Sequence, residues 1–142
     1  MTTLLVEIVT PEAALWAGEA SALMARSSEG EFAVLPQHTP TVGDLVPGLV
    51  RVQTAGGELA FCVHGGYFQV GAGDEPGVTR ATVLAGTAER VSEIDAARAQ
   101  AAKDAAEAIL SSSAEMDGST RAQAEASLAR AELRLRVAGT AK

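Results

Sequence analysis

The chain has 142 residues, of which 47% are hydrophobic but only 4% aromatic, so its core must be built from modest aliphatic side chains. This length fits one or two small domains, and a formal net charge of −7 disfavours general nucleic-acid binding. No apolar run approaches the roughly 18 residues of a transmembrane span, the N-terminus shows no secretory signal, and the single cysteine cannot form an internal disulfide, so we expect a soluble intracellular protein.

The first part of the chain is a series of short β-prone runs separated by glycine and proline. Pro47-Gly48 is a strong turn signal between two of the runs, and Gly65-Gly66 separates two more. The segment 71–77 lacks the spacing of a phosphate-binding glycine motif and precedes no helix, so we predict a hairpin loop. The runs predict an all-β sandwich or barrel, and they are Leu4–Val9, Ala14–Gly18, Ser21–Ala25, Phe32–Leu35, Thr41–Val46, Leu49–Thr54, Leu59–His64, Tyr67–Val70 and Val78–Leu84.

The stretch Ser28–Pro40 combines an acidic turn with a short strand and a proline corner. Glu29-Gly30-Glu31 forms the turn, and the apolar residues 32–35 follow it. Pro36 ends that strand because proline cannot donate a hydrogen bond to a sheet ladder, and Pro40 favours an extended residue before it. Both ends are therefore predicted to be surface features that a rigid sheet holds in place.

The composition changes at Ala88-Glu89-Arg90, where strand-like runs give way to good helix formers. Residues 92–137 contain fourteen alanines and no proline. A serine or threonine followed three residues later by Asp or Gln predicts capped helix starts at Ser92 and Thr120. We therefore predict an α+β chain, with a β-sandwich over residues 1–88 and, over residues 89–142, an antiparallel hairpin of two helices, Ser92–Ser112 and Ser119–Val137.

The predicted hairpin is rich in alanine and poor in larger apolar side chains. Alanine seams allow two helices to approach closely, but they remove little area from water, at about 25 cal/mol per Å². Docking of the hairpin on the sandwich should therefore be marginal, which is typical of a movable element. A static helical appendage is the alternative, and composition alone favours neither.

Cys62 and His64 are the first candidates for chemistry. They lie two residues apart on a predicted strand and so face the same side, as a nucleophile with its base or as two metal ligands would. His38 is the only other histidine, and the sequence offers no second ligand pair. We favour a half-buried strand without catalytic or metal-binding function.

The arginines of the hairpin are the second candidates for a functional site. Arg130 and Arg134 are four residues apart and so are neighbours on one helical face. Folding the helices back about a central turn places Arg98 close to Arg134 and Asp95 close to Arg136. Such a cluster would form an anion pocket, since guanidinium groups suit phosphate or carboxylate. The alternative is a solvated face on which the arginines have local acidic partners.

Three motifs follow one another in a distinctive order. The stretch from Ser28-Glu29-Gly30-Glu31 to Pro36-Gln37-His38-Thr39-Pro40 is similar to the signature SEGE…PGHAP, with Gln37 in place of the glycine. Val83–Glu89 is similar to a VLADTAE segment, and Ile94–Ala99 fits an I/L-D-x-x-R-A pattern. Over nearly its whole length, the chain thereby resembles the epsilon subunit of bacterial F-type ATP synthases.

The resemblance implies a flattened β-sandwich at the foot of the central stalk, against the gamma subunit and the ring of c subunits. Glu29, Gly30 and Glu31 would meet polar loops of the c ring, and His38 would lie near the gamma subunit. The chain would be a non-catalytic rotor subunit without bound metal. It would be peripheral on the cytoplasmic side of the cell membrane, which it would reach only through the complex.

The resemblance also implies a regulatory role for the helical hairpin. In this family the hairpin lies folded on the sandwich or extends along gamma into the catalytic head, where it hinders ATP hydrolysis. Its basic last helix, with Arg130, Arg134 and Arg136, would face acidic segments of the head, which the alpha and beta subunits form.

ATP-binding members of the family hold nucleotide through the I/L-D-x-x-R-A residues and arginines of the last helix. Ala105 stands where a further arginine is expected. The resemblance therefore implies no resident cofactor and, at most, weak regulatory ATP binding by Ile94, Asp95, Arg98, Ala99, Arg130 and Arg134.

A free-standing sandwich adaptor is the second hypothesis for the whole chain. It would dock a helical partner through the alanine-rich hairpin. Co-purification separates the two hypotheses, because a rotor subunit should accompany gamma and the membrane sector. An enzymatic role has support only from Cys62 and His64.

Overall fold

The computed structural model describes residues 2–112 and 115–138. It confirms the predicted fold class, since a sandwich of two β-sheets is followed by a hairpin of two α-helices. The strands are β1 (Thr3–Val9), β2 (Ala14–Ala20), β3 (Ala22–Ser27), β4 (Gly30–Val34), β5 (Thr41–Leu45), β6 (Gly48–Thr54), β7 (Gly57–Val63), β8 (Gly66–Ala72), β9 (Val78–Ala85) and β10 (Ala88–Arg90).

Each sheet has five strands. Sheet A has the order β2-β1-β9-β8-β5, and sheet B has the order β10-β7-β6-β3-β4. Neighbouring strands pair antiparallel except β1 and β9, which pair parallel with Thr3 opposite Val78 and Val9 opposite Leu84. The N-terminal strand is therefore an inner strand of sheet A, between β2 and β9.

The core lies between the two sheets and follows the two-residue period of the strands. Leu4, Val6 and Ile8 of β1 are completely buried, and the residues between them are only partly buried. Phe61 of β7 is the largest fully buried side chain. With few aromatic residues, the core consists mostly of valine, leucine and alanine, as the composition predicted.

The chain divides into two compact units, with the boundary between Arg90 and Val91. This boundary lies two residues after the predicted one, because β10 still pairs with β7. In the second unit a single turn of 3-10 helix (Val91–Glu93) precedes α1 (Ala96–Leu110) and α2 (Gly118–Ala138).

The predicted capping residues of both helices are wrong. Aspartates hold these positions, because a carboxylate accepts hydrogen bonds from the free N–H groups of a first helical turn. Asp95 Oδ1 accepts from the backbone N–H of Arg98 at 3.0 Å, and Asp117 Oδ1 accepts from that of Thr120 at 2.6 Å. The hydrogen bonds from Thr120 hold the pKa of Asp117 below its usual value.

Alanine forms the packing seam between α1 and α2. Ala99 and Ala106 are buried on α1, and Ala124 and Ala131 are buried on α2. Each pair is seven residues apart, which keeps both members on one helical face. The hairpin thus buries small side chains at its interface, as predicted. Neither helix of the described residues is both long and apolar enough to cross a bilayer.

Candidate docking site

The outward face of sheet A carries large apolar side chains that water reaches. On β8 the inward positions are Phe68 and Val70, so Tyr67 points outward and is 64% exposed. Val42 of the neighbouring strand β5 is 74% exposed, and Leu84 of β9 is 45% exposed. Single exposed apolar residues are ordinary, but a group on one face indicates an interaction surface.

Strand register makes this group continuous. Val9 of β1 lies opposite Leu84, and Leu84 lies opposite Tyr67. Val42 pairs with Gln69, two residues along β8 from Tyr67, which is within diagonal reach. We call Val9, Val42, Tyr67 and Leu84 the apolar face.

A group of three charged side chains borders the apolar face on the same side of sheet A. Arg80 of β9 points outward, and its guanidinium group donates hydrogen bonds to the carboxylates of Glu7 and Asp74. An apolar centre with a charged rim is the usual composition of a protein–protein interface. The face is therefore suited to another protein.

The proline corner joins the two sheets beside this face. The backbone N–H of Gln37 donates to Thr79 Oγ1 at 2.8 Å, which ties the corner to β9. Gln37 adopts φ +71, a left-handed conformation that favours glycine. The signature SEGE…PGHAP has glycine at this position. The same turn holds His38, half-buried, with its backbone N–H donating to Leu35 O at 3.0 Å.

The acidic turn is the tip of the β3–β4 hairpin. Glu29 and Glu31 are both exposed there, and Arg26 donates to Glu31 at 3.0 Å. Asp44 of β5 holds the tip through two hydrogen bonds. Its carboxylate accepts from the backbone N–H of Ser28 at 3.2 Å and from the hydroxyl of Ser28 at 3.0 Å. The prediction of a turn held by the sheet is confirmed in part: the turn residues are Ser28 and Glu29, whereas Gly30 and Glu31 already belong to β4.

The predicted nucleotide residues on α1 lie close together but have different environments. Ile94 is half-buried before the helix, and Asp95 caps it. Arg98 is exposed in the first turn, whereas Ala99 is buried in the alanine seam. Only Arg98 among these four therefore presents a cationic side chain to solvent.

The arginines of α2 follow one another along the helix. Arg130 and Arg134 are half-buried and one turn apart, and Arg130 donates to Ser127 Oγ at 3.2 Å. Arg136 is exposed in the last turn. Cations in the last turn of a helix interact favourably with its dipole, so Arg136 also stabilises the helix that carries it.

Glu89 is a neighbour of Cys62 and His64 that the sequence did not reveal. It lies opposite Cys62 in the β7–β10 pair. Cys62 Sγ is 3.6 Å from His64 Nε2, and the same nitrogen is 3.7 Å from Glu89 Oε1. Only the pairing of these two strands could have indicated the third residue.

A β-sandwich followed by a helical hairpin defines the class of protein: a chain of two compact units, the first all-β and the second all-α. Comparison with known families is more specific. Residues 3–91 match the model described as ATP synthase, Delta/Epsilon chain, beta-sandwich domain. Residues 92–139 match the model described as ATP synthase, Delta/Epsilon chain, long alpha-helix domain. The chain belongs to the ATP synthase delta/epsilon chain family.

Its relatives carry the name ATP synthase epsilon chain. That of Thermobifida fusca is 43% identical over 138 residues, which are 95% of this chain and 91% of the relative. That of Alkalilimnicola ehrlichii is 41% identical over 134 residues, with 94% and 91% covered. A chain in the Euglena gracilis mitochondrial ATP synthase, solved as OSCP/F1/c-ring, has a TM-score of 0.73 at 25% identity, covering 99% of this chain and 83% of that chain.

Proposed function

We propose that this chain is a non-catalytic rotor subunit in the central stalk of a proton-translocating F-type ATP synthase. It would couple rotation of the c ring to the catalytic head through gamma, on the cytoplasmic side of the cell membrane. The observation that carries the proposal is the apolar face, together with relatives that are named as epsilon chains. Burial of such a face against gamma would fix the sandwich to the rotor.

Two further surfaces have proposed partners. The tip residues Glu29, Gly30 and Glu31 contact polar loops of the c ring. Support comes from the exposure of Glu29 and Glu31 and from the hydrogen bonds of Asp44 to the neighbouring Ser28. His38 contacts gamma, because its corner lies at the start of β5, the strand that carries Val42 of the apolar face.

The helical hairpin inhibits ATP hydrolysis by moving between two positions. Its helices are packed through small side chains, which bury little apolar area per residue. Three arginines of α2 give it a cationic surface that suits acidic segments of the alpha and beta subunits: Arg130, Arg134 and Arg136.

One assembly experiment tests coupling and inhibition together. A tagged chain that ends after Val91 keeps all ten strands and should still co-purify with gamma and the c ring, as should the full chain. ATPase activity of the complex should be higher with the shortened chain, because the inhibitory element is gone. Equal ATPase activities would contradict inhibition. Recovery of the full chain with another helical protein, and without gamma, would instead support the adaptor hypothesis.

ATP is proposed as a weak regulatory ligand of the hairpin. Ile94, Asp95, Arg98, Ala99, Arg130 and Arg134 would hold it, and ATP shifts the hairpin only by its difference in affinity for the two positions. We expect calorimetry to detect binding at millimolar ATP, and binding should weaken at least about tenfold in Arg98→Ala with Arg134→Ala, since each removes a charge-assisted bond. Arg121→Ala, at the start of α2, is the control. If calorimetry with the unmodified chain shows no heat of binding at millimolar ATP, the proposal is refuted.

A further inference from the structure

We propose that Cys62, His64 and Glu89 form a Zn²⁺ site on the face of sheet B that points away from the core. Phe61 and Val63 point into the core, so Cys62 and His64 lie on the opposite face of the sheet. Glu89 reaches the same place from β10, directly across the ladder from Cys62. The site therefore uses two adjacent strands whose hydrogen bonds fix its geometry.

Two of the three separations between the donor atoms are close to those that a tetrahedral zinc ion requires. Bonds of about 2.3 Å to sulfur and about 2.0 Å to nitrogen or oxygen place a sulfur and a nitrogen about 3.5 Å apart, and a nitrogen and an oxygen about 3.3 Å apart. The observed distances are 3.6 Å from Cys62 Sγ to His64 Nε2 and 3.7 Å from that nitrogen to Glu89 Oε1. All three donors lie within 4.8 Å of one another. Small rotations of the Glu89 side chain complete the geometry.

The kinds of donor select the metal. A thiolate and an imidazole suit Zn²⁺, whereas Mg²⁺ and Ca²⁺ prefer oxygen ligands alone. The side chain of His64 is 6% exposed and that of Glu89 is 29% exposed, so the ion would be shielded on one side and open to water on the other. A water molecule can therefore supply the fourth ligand.

The thiolate, the imidazole nitrogen and the carboxylate can all be ligands of one cation. A zinc ion accepts lone pairs from all three groups at once. Cys62 is completely buried, which disfavours the alternative of a nucleophile that attacks a bulky substrate.

Zinc binding would hold β10 more firmly against β7. This strand has only three residues and ends where the second unit begins. An ion held by Glu89 and the two β7-side ligands links β10 to β7 by bonds additional to the ladder. Because unfolding separates the ligands, Zn²⁺ should raise the thermal midpoint of unfolding.

Binding to the full-length isolated chain tests the site. After removal of metals, Zn²⁺ is titrated against a chromophoric zinc indicator, with excess Mg²⁺ present. We expect one Zn²⁺ per chain at micromolar metal, and affinity at least about tenfold lower in His64→Gln and in Glu89→Gln. His38→Gln, which changes the other histidine, should bind as the unmodified chain does. Co²⁺ in place of Zn²⁺ should give a thiolate-to-metal charge-transfer band that disappears in Cys62→Ser.

Each result decides the proposal. Binding of one Zn²⁺ per chain, with weaker binding in His64→Gln and Glu89→Gln only, supports the proposal. If Cys62→Ser fails to fold, the cobalt charge-transfer band of the unmodified chain supports it instead. Absence of binding at micromolar Zn²⁺ overturns it, as does equal weakening in His38→Gln or an unchanged spectrum in folded Cys62→Ser. The assay needs no other subunit, so its outcome is independent of the proposed role in the synthase.

Discussion

Gly66→Ala is expected to lower the free energy of unfolding of the sandwich by about 3 kcal/mol or more. Gly66 has φ +149, which is unfavourable for residues with a Cβ, and an added Cβ would lie 2.2 Å from the carbonyl oxygen of Leu84. That oxygen belongs to the backbone of β9, so it cannot move without disturbing the β8–β9 ladder. Urea unfolding at equilibrium, followed by circular dichroism, measures the loss.

Gly71→Ala is the matched control on the same strand. An added Cβ there meets no atom within 4 Å, and Gly71 has no positive φ. We expect the free energy of unfolding to change by no more than about 1 kcal/mol. The substitution makes no clash, and its main effect is that alanine loses less backbone entropy on folding than glycine does. Similar losses for the two variants would show that the close approach at Gly66 does not limit the fold.

Val42→Glu combined with Tyr67→Glu is expected to weaken binding of the full chain to gamma at least about 100-fold. Burial of each apolar side chain contributes about 1.5–3 kcal/mol, and every 1.4 kcal/mol is a factor of ten in affinity. The two carboxylates would also have to be desolvated at the interface. The measurement is the dissociation constant of the purified pair.

Ala33→Glu combined with Ala55→Glu adds the same two charges elsewhere. Both alanines are exposed, Ala33 on β4 of sheet B and Ala55 in the β6–β7 turn. The dissociation constant of this control for gamma should be within about twofold of that of the unmodified chain. Salt largely screens exposed charges that lie away from the interface. If both double variants bind equally well, the apolar face is not the contact with gamma.

The sequence allowed the strands and turns of the sandwich to be predicted because their signals are local. Pro47 lies between β5 and β6, which begins at Gly48, and Gly65 directly precedes β8, which begins at Gly66. These features depend on neighbours a few residues apart, which a pattern in the sequence contains.

Features that depend on tertiary pairing could not be predicted. Ser92 satisfied the pattern of a capping residue, but Asp95 provides the cap, since a short 3-10 turn delays the start of α1. Glu89 joins Cys62 and His64 only through the β7–β10 pair. The left-handed Gln37 could not be inferred from residue propensity, because glutamine rarely adopts that conformation.

The parallel pairing of β1 with β9 has a consequence for the order of folding. During synthesis β1 can pair with β2 at once, but its other edge lacks a partner until β9 has been made. An open edge on an apolar strand is a template for wrong pairing, and contacts between distant segments slow folding. The ion pair between Glu7 and Arg80 likewise forms only after that delay. Sheet A is therefore complete only after β9 has been synthesised and has paired with β1.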